Sequence, residues 1–159
     1  MNLKNIVESY AHKGKQGLEI DLDALALNKE FNEEVVRKVS NIVPPQACVF
    51  IPGYNDKNAH FTKLINDLVL SLQTKALVTG NIESLKNVET SDVIIIKQSF
   101  RTGQTLRTQI AELRTMGFEK IKVLCIITNS TGRLKGFAIE EGVEVDALVK
   151  TDEIEYIPG

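Results

Sequence analysis

The sequence Val93-Ile94-Ile95-Ile96-Lys97-Gln98-Ser99-Phe100-Arg101-Thr102-Gly103-Gln104-Thr105 carries the clearest structural signal in this chain of 159 residues. Its first four residues form an unbroken β-branched run, which is typical of a parallel strand covered on both faces. Apolar residues recur at helical spacing from Leu106 to Leu113, so a helix is expected there that ends near Gly117. Another apolar strand follows at residues 121–128. Strand, loop, helix and strand in this order indicate an α/β fold.

The same alternation extends through the rest of the chain. The other predicted strands cover residues 18–22, 47–51, 75–78 and 143–149, and further helices are predicted at 3–12, between Asn28 and Pro44, at 58–73 and at 134–141. Residues 79–91 show no sustained period and are expected to form a mobile loop. We therefore predict a single α/β domain with a mainly parallel sheet and helices on both faces.

Composition narrows the functional classes. A hydrophobic fraction of 43% supplies one sizeable core, and a net charge of -2 argues against a surface dedicated to nucleic acid. No apolar run approaches the roughly 18 to 20 residues of a membrane span. Because the first residues also lack the hydrophobic segment of a secretory signal, we expect a cytoplasmic protein that does not contact membranes.

Cysteines and histidines give no sign of a metal or redox centre. Cys48 and Cys125 both lie in strand-like apolar runs, where a core role is expected in preference to a redox or nucleophilic one. His12 and His60 are the only histidines and are far apart in the sequence. We therefore assign no metal ligands.

The loop between the central strand and its helix has the composition of a phosphate site. Ligands of open parallel sheets bind beyond the carboxyl ends of strands, and the loops at 52–58 and 99–105 occupy two such positions. A helix N-terminus offers unpaired N–H groups, so residues 102–105 could hold a phosphate, with Arg101 adding positive charge and Gly103 permitting close approach. The alternative is structural: Thr102 caps the helix at Gln104, and Gly103 only turns the chain.

Residues 93–106 resemble the PRPP-binding segment of type I phosphoribosyltransferases, which has an apolar strand, two adjacent acids, two apolar residues, Thr-Thr-Gly, a small residue and Thr. Residues 15–22 resemble the N-terminal hood of the orotate branch, and residues 141–154 resemble its C-terminal end. The resemblance implies a type I phosphoribosyltransferase-like domain over 1–159, with hood elements in 1–27 and the α/β core in 28–159. It also implies a homodimer.

The same resemblance assigns the site residues. The phosphate would be bound by Ser99, Phe100, Arg101, Thr102, Gly103, Gln104 and Thr105. The pyrophosphate-loop candidates are Gly53, Tyr54 and Asn55, and Lys97-Gln98 would stand where the family binds the ribose. The implied ligand is ribose 5-phosphate, a nucleotide or PRPP, and no cofactor is assigned except Mg²⁺ with PRPP if the protein is an active transferase.

The ribose position departs from the family pattern. The two family acids bind the ribose hydroxyls and help to manage charge as an oxocarbenium-like centre develops, whereas this chain has Lys97 and Gln98. A like charge about 4 Å away costs from about 1 to about 4 kcal/mol between water-like and protein-surface dielectrics. The upper value corresponds to about a thousandfold in rate. A cation at position 97 therefore opposes transferase chemistry.

Two further loops depart from the family. Residues 52–58 replace a Gly-rich pyrophosphate turn by larger side chains, including Tyr54 and the carboxylate of Asp56. Residues 79–91, at the place of the basic catalytic loop of the orotate branch, contain Lys86 as their one cation and no histidine. Tyr54 could stack on a base or simply cover its turn.

Three hypotheses follow. The first is a protein that binds a 5'-phosphorylated ribose or nucleotide through loop 99–105, with transferase activity lost or altered and catalytic residues unassigned. The second is an active PRPP-dependent transferase that acts on a nucleobase. The third is an assembly partner without a small ligand, in which Lys97 pairs with Asp21 or Asp56. For Asp21, Asp23 and Arg133, a solvated surface role is expected over contact with a base or ribose.

Overall fold

Five parallel strands form the central sheet in the computed structural model, which describes residues 2–15, 17–52, 61–100 and 102–154. The sheet consists of β3 (Cys48–Phe50), β4 (Leu77–Thr79), β5 (Asp92–Phe100), β6 (Lys120–Thr128) and β7 (Glu144–Lys150). Before it in the chain, β1 (Ala11–Gly14) and β2 (Gly17–Ile20) form a separate two-stranded sheet. The α-helices are α1 (Leu3–Glu8), α2 (Leu22–Ala26), α3 (Lys29–Ile42), α4 (Thr62–Leu72), α5 (Gln104–Thr115) and α6 (Thr131–Glu141). Short 3-10 helices cover Ile82–Leu85 and Thr151–Glu153.

The strand order of the sheet is β4-β3-β5-β6-β7, and every neighbouring pair is parallel. From β3 the chain passes through α4 to β4 on one side, and then crosses to β5 on the other side of β3. The direction of winding therefore changes between β3 and β5. In open α/β sheets such a switch point opens a crevice at the carboxyl ends of the two strands.

Helices cover both faces of the sheet, as predicted. On one face, buried side chains of α1 to α4 form a core with strand residues such as Val49, Ile96 and Leu124. On the other face, buried side chains of α5 and α6 pack with residues such as Ile95 and Val123. The predicted α/β class with a parallel sheet and helices on both faces is confirmed.

Local signals account for the well-predicted elements. The Asn28 side chain accepts a hydrogen bond from Phe31 N at 2.8 Å and so caps α3, which ends at Ile42 before the two prolines. Cys48 and Cys125 are buried free thiols, as expected of core residues. Burial raises the pKa of Cys48 to about 11 and that of Cys125 to about 12. None of the described helices is long and apolar enough to cross a membrane.

The N-terminal elements differ from the prediction. The helix predicted at 3–12 ends at Glu8, and β1 then pairs with β2 as an antiparallel hairpin in which His12 Nε2 lies 3.4 Å from Glu19 Oε2. Leu22, expected at the end of a strand, begins α2 instead. The reason is Asp21, whose carboxylate accepts a hydrogen bond from Ala24 N at 3.1 Å and caps this helix. Asp21 is thus a helix cap and not a strand-edge residue.

The central strand is longer than predicted. Ser99 and Phe100 continue β5 and pair with Ile127 and Thr128 of β6, so the connection to α5 is shorter than the predicted loop 99–105. Phe100 is 4% exposed and belongs to the core beneath α5 and α6. Part of the predicted irregular stretch also forms the first 3-10 helix, with Leu85 buried.

Candidate functional site

The switch point between β3 and β5 locates the candidate site. Residues 53–60, which follow β3, and Arg101, which follows β5, lie outside the described residues. The pyrophosphate-loop candidates Gly53, Tyr54 and Asn55 are therefore outside the described part of the chain. The described part of the site consists of the carboxyl ends of β5 and β6 and the first turn of α5.

The first turn of α5 is built as the sequence suggests. Gly103 precedes the helix at its N-cap position and has φ 76°, in the left-handed region that glycine adopts without strain. Gln104 N is 3.4 Å from Thr102 Oγ1, a long contact for a capping hydrogen bond. Thr102, Gln104 and Thr105 are exposed. The structural and the phosphate-binding roles of this turn are thus compatible.

An aromatic pair supports Gly103 from below. The rings of Phe100 and Phe137 meet edge to face with centroids 5.2 Å apart. A Cβ atom at position 103 would lie 2.6 Å from the Phe137 ring and 2.8 Å from the Phe100 ring, well inside contact distance. Glycine is therefore required here by packing as well as by φ. The sequence indicated either close approach to a ligand or a turn of the chain, and did not reveal this packing.

Arg107 connects this turn to the end of α6, and sequence reasoning did not identify it. Its Nη1 donates to Thr102 O at 3.2 Å, its Nε to Glu141 Oε1 at 3.0 Å, and its Nη2 to Glu140 Oε2 at 3.1 Å. The guanidinium also lies 5.1 Å from the centroid of the Phe137 ring. The glutamates are 33 and 34 positions away in the sequence, so no local pattern reveals this network.

Lys97 and Gln98, which the resemblance assigns to the ribose position, have different environments. Lys97 is half-buried opposite Cys125, and burial lowers the pKa of its ammonium group. No carboxylate of the described residues lies within 4.0 Å of that ammonium. Gln98 instead accepts a hydrogen bond from Phe61 N at 3.3 Å, where α4 begins. The pairing of Lys97 with Asp21, one option of the third hypothesis, is not among the described ion pairs, and Asp21 caps α2; Asp56 lies outside the described residues.

The N-terminus of α6 is already occupied by a side chain. Thr131 donates to Asp152 through its backbone N at 3.0 Å and through Oγ1 at 2.7 Å. Burial alone would raise the pKa of Asp152, but the hydrogen bonds from Thr131 outweigh it and hold that pKa below its usual range. A carboxylate thus already balances the positive end of α6. Arg133 is exposed and lies in the first turn of α6, whereas the sequence predicted that this helix begins at residue 134.

A cavity of about 310 Å³ lies beside the α5 turn, within the size range of small-ligand pockets. It lies between β2, which contributes Glu19 among other residues, and the carboxyl ends of β5 and β6. Its lining includes Leu18 and Ile20 from the hairpin and Ser99, Phe100 and Asn129 from the sheet. A larger cavity of about 730 Å³ lies at the amino ends of the strands, next to Asp92 and Lys120. The smaller one is the better candidate, because it lies at the carboxyl edge where parallel sheets bind ligands.

Structural comparison identifies the class of fold. No protein-family model and no curated protein sequence matches the chain. Adenine phosphoribosyltransferase from Leishmania donovani has a TM-score of 0.61 and 10% identity, over 98% of this chain and 82% of that chain. Orotate phosphoribosyltransferase from Aeropyrum pernix has a TM-score of 0.58 and 15% identity, over 94% and 95%. The Mycobacterium tuberculosis orotate enzyme in complex with PRPP has a TM-score of 0.56 and 13% identity, over 96% and 89%.

These similarities define a phosphoribosyltransferase-like fold for this chain. The structural neighbours are type I phosphoribosyltransferases, from both the orotate and the adenine enzymes. At identities of 10% to 15% the likeness concerns the fold, and the chemistry has to be argued from this chain's own residues.

Proposed function

We propose that this protein binds a 5'-phosphorylated ribose, as in ribose 5-phosphate, a nucleotide or PRPP, through residues 99–105, and that its transferase activity is lost or altered. The first turn of α5 is the observation that carries the proposal. It lies at the switch point, Gly103 opens its backbone, and two threonine hydroxyls flank it. Free N–H groups and the positive end of a helix together favour a phosphate.

Comparison with the neighbouring helices supports this assignment. All three helices α4, α5 and α6 begin at the carboxyl edge of the sheet. Gln98 accepts a hydrogen bond at the start of α4, and Asp152 accepts two at the start of α6. At α5 the described side-chain contact is the long one from Gln104 N to Thr102 Oγ1. Among the described contacts, a carboxylate holds the first N–H of α6, whereas the first N–H of α5 has this long contact, so the α5 turn is more available to an external anion than the α6 turn.

The adjacent cavity favours a ligand larger than phosphate alone. Ser99 and Phe100 line it and also belong to the proposed phosphate segment. A ribose bound by its 5'-phosphate at α5 can therefore extend under the β1–β2 hairpin. There Asn129 offers a polar amide and Leu18 and Ile20 offer apolar surface, a combination suited to a sugar or a base.

Lys97 supports the loss or change of transferase activity. Its ammonium is half-buried and lacks a carboxylate partner within the described part of the chain. An unbalanced cation beside a ribose opposes the positive charge of an oxocarbenium-like transition state by about 1 to about 4 kcal/mol at about 4 Å. The same cation attracts a phosphorylated ligand in its ground state. Lys97 thus favours binding of the phosphorylated ligand and disfavours the transfer reaction.

Isothermal titration calorimetry tests the proposal. We expect ribose 5-phosphate and nucleoside monophosphates to bind, and ribose without phosphate to bind far more weakly. Arg101→Gln and Thr102→Val should each weaken the phosphorylated ligand about tenfold, the scale of one hydrogen bond to a charged group. Thr115→Val is the matched control, because Thr115 lies at the opposite end of the same helix. Absence of any heat that depends on Arg101 and Thr102 would refute the proposal.

The active-transferase alternative has its own test, and magnesium enters only there, as the PRPP complex. Pyrophosphate release from PRPP is measured across a panel of nucleobases. Brisk turnover that Lys97→Ala abolishes would establish an active transferase in place of our proposal. The homodimer and the cytoplasmic location that we expect from the sequence remain part of the proposal.

A further inference from the structure

We propose that Arg107 is a positioning residue of the phosphate turn, which aims the N–H groups at the start of α5 without contacting the ligand. This inference rests on the function proposed above. It deepens that function by naming a side chain outside residues 99–105 on which the affinity for phosphate depends. Three observations carry it. All three guanidinium nitrogens are bonded within the protein, one of them holds the Thr102 carbonyl, and the other two are anchored on α6.

All three guanidinium nitrogens of Arg107 are engaged within the protein. One contacts the Thr102 carbonyl and the other two contact Glu140 and Glu141. One face of the group also lies over the Phe137 ring. Two carboxylates neutralise its charge, and three of its five N–H donors are used within the protein. Arg107 is therefore not arranged to bind phosphate directly, although it lies within one turn of the proposed site.

The peptide that Arg107 holds is the one that matters for binding. In a planar trans peptide, the carbonyl of one residue and the N–H of the next point in opposite directions. By holding Thr102 O, Arg107 directs Gly103 N–H away from α6. Gly103 has no side chain of its own to restrict this peptide, and its φ of 76° gives it access to backbone conformations closed to other residues. The arginine thus supplies a restraint that the glycine lacks.

The anchor on α6 makes the restraint rigid. Arginine presents its donors in a fixed planar fork, so the three contacts determine both the position and the tilt of the group. Glu141 is the better-shielded partner, with 21% of its side chain exposed, compared with 66% for Glu140. A lysine has a single charged nitrogen and could not join Thr102 O to both glutamates.

Arg114 offers a matched control on the same helix. It also connects α5 to the end of α6, by donating from Nη2 to the Glu141 carbonyl, but it makes no contact with Thr102. Arg107→Gln therefore removes two ion pairs between the two helices, and Arg114→Gln removes one hydrogen bond between them. The Thr102 contact is lost only in the first of these variants.

The experiment measures the affinity of ribose 5-phosphate, and of ribose as its dephosphorylated counterpart, by calorimetry, together with the thermal unfolding midpoint of each variant. We expect Arg107→Gln and Arg107→Lys to weaken ribose 5-phosphate about tenfold, the scale of one charge-assisted hydrogen bond, with ribose binding unchanged. Arg114→Gln should keep wild-type affinity. If Arg107→Gln does not fold, Arg107→Lys and Glu141→Gln provide the same comparison.

Several results would overturn the inference. Equal losses in Arg107→Gln and Arg114→Gln would show general helix packing, and wild-type affinity in Arg107→Lys would show that a point charge suffices. If the wild-type protein binds ribose 5-phosphate and Arg107→Gln binds it equally well, the positioning role fails while the proposed function stands. If the wild-type protein binds neither ribose 5-phosphate nor a nucleoside monophosphate nor PRPP, both fail together.

Discussion

Substitution of Gly103 by alanine should destabilise the protein by two separable effects. The first is backbone strain, because φ is 76° and a non-glycine residue in the left-handed region costs about 1–2 kcal/mol. The second is overpacking, because the new Cβ would lie 2.6 Å from Phe137 and 2.8 Å from Phe100. Forcing extra volume into a packed core costs about 1–3 kcal/mol. Together these effects predict a loss of about 2–5 kcal/mol in the free energy of unfolding.

Gly142→Ala separates the two effects. Gly142 ends α6 with φ 64°, close to the value at Gly103, but its added Cβ would meet Arg114 Nη2 at an ordinary 3.7 Å. This control should therefore show the strain alone, about 1–2 kcal/mol. Urea unfolding of both variants gives the difference, which we expect to be about 1–3 kcal/mol and due to the aromatic pair. Equal losses in the two variants would refute the packing argument and leave only the requirement for positive φ.

The remaining predictions concern pH. Burial lowers the pKa of Lys97 in the folded protein, so between that pKa and about 10.4 the unfolded chain binds more protons and stability rises with pH. Lys97→Met should abolish this rise in stability. The rise is measured as the urea unfolding midpoint at a series of alkaline pH values, and a rise that persists in the variant would exclude Lys97 as its source. For Asp152 the folded pKa is lowered, so its contribution is present above about 3.9 and is lost as the pH falls through the folded value. Asp152→Asn should flatten this acid-side loss, and identical acid unfolding curves would contradict the capping role.

The sequence predicted the elements that have strong local signals. Unbroken apolar runs located β5 and β6, and a capping asparagine with a terminal proline pair located α3. The sequence did not reveal β1 or α2, because they are short, with four and five residues. It also ended β5 where the predicted loop 99–105 begins, although the ladder with β6 continues to Phe100. Strand pairing with a distant partner overrode the local pattern there.

In the candidate site as well, local features could be predicted from the sequence, and contacts between distant residues could not. The glycine turn and its threonines follow from a local motif, and the structure places them at a helix N-terminus. The contacts that hold the turn join residues far apart in sequence. Arg107 meets glutamates 33 and 34 positions away, and Gln98 meets Phe61 across 37 positions. No periodicity or spacing within one segment encodes such contacts, so only a folded structure reveals them.

Positions 97 and 98 are not equivalent, which bears on the proposed loss or change of transferase activity. At position 98 an acid could still accept the hydrogen bond from Phe61 N and would gain from the positive end of α4. At position 97 the side chain is half-buried, with no described side chain of opposite charge in ion-pair contact. An acid there would require a cation brought by the ligand, as a magnesium complex does, whereas the lysine is complementary to a bare phosphate ester. Under the function proposed above, Lys97 favours binding of a phosphorylated ribose over its transfer.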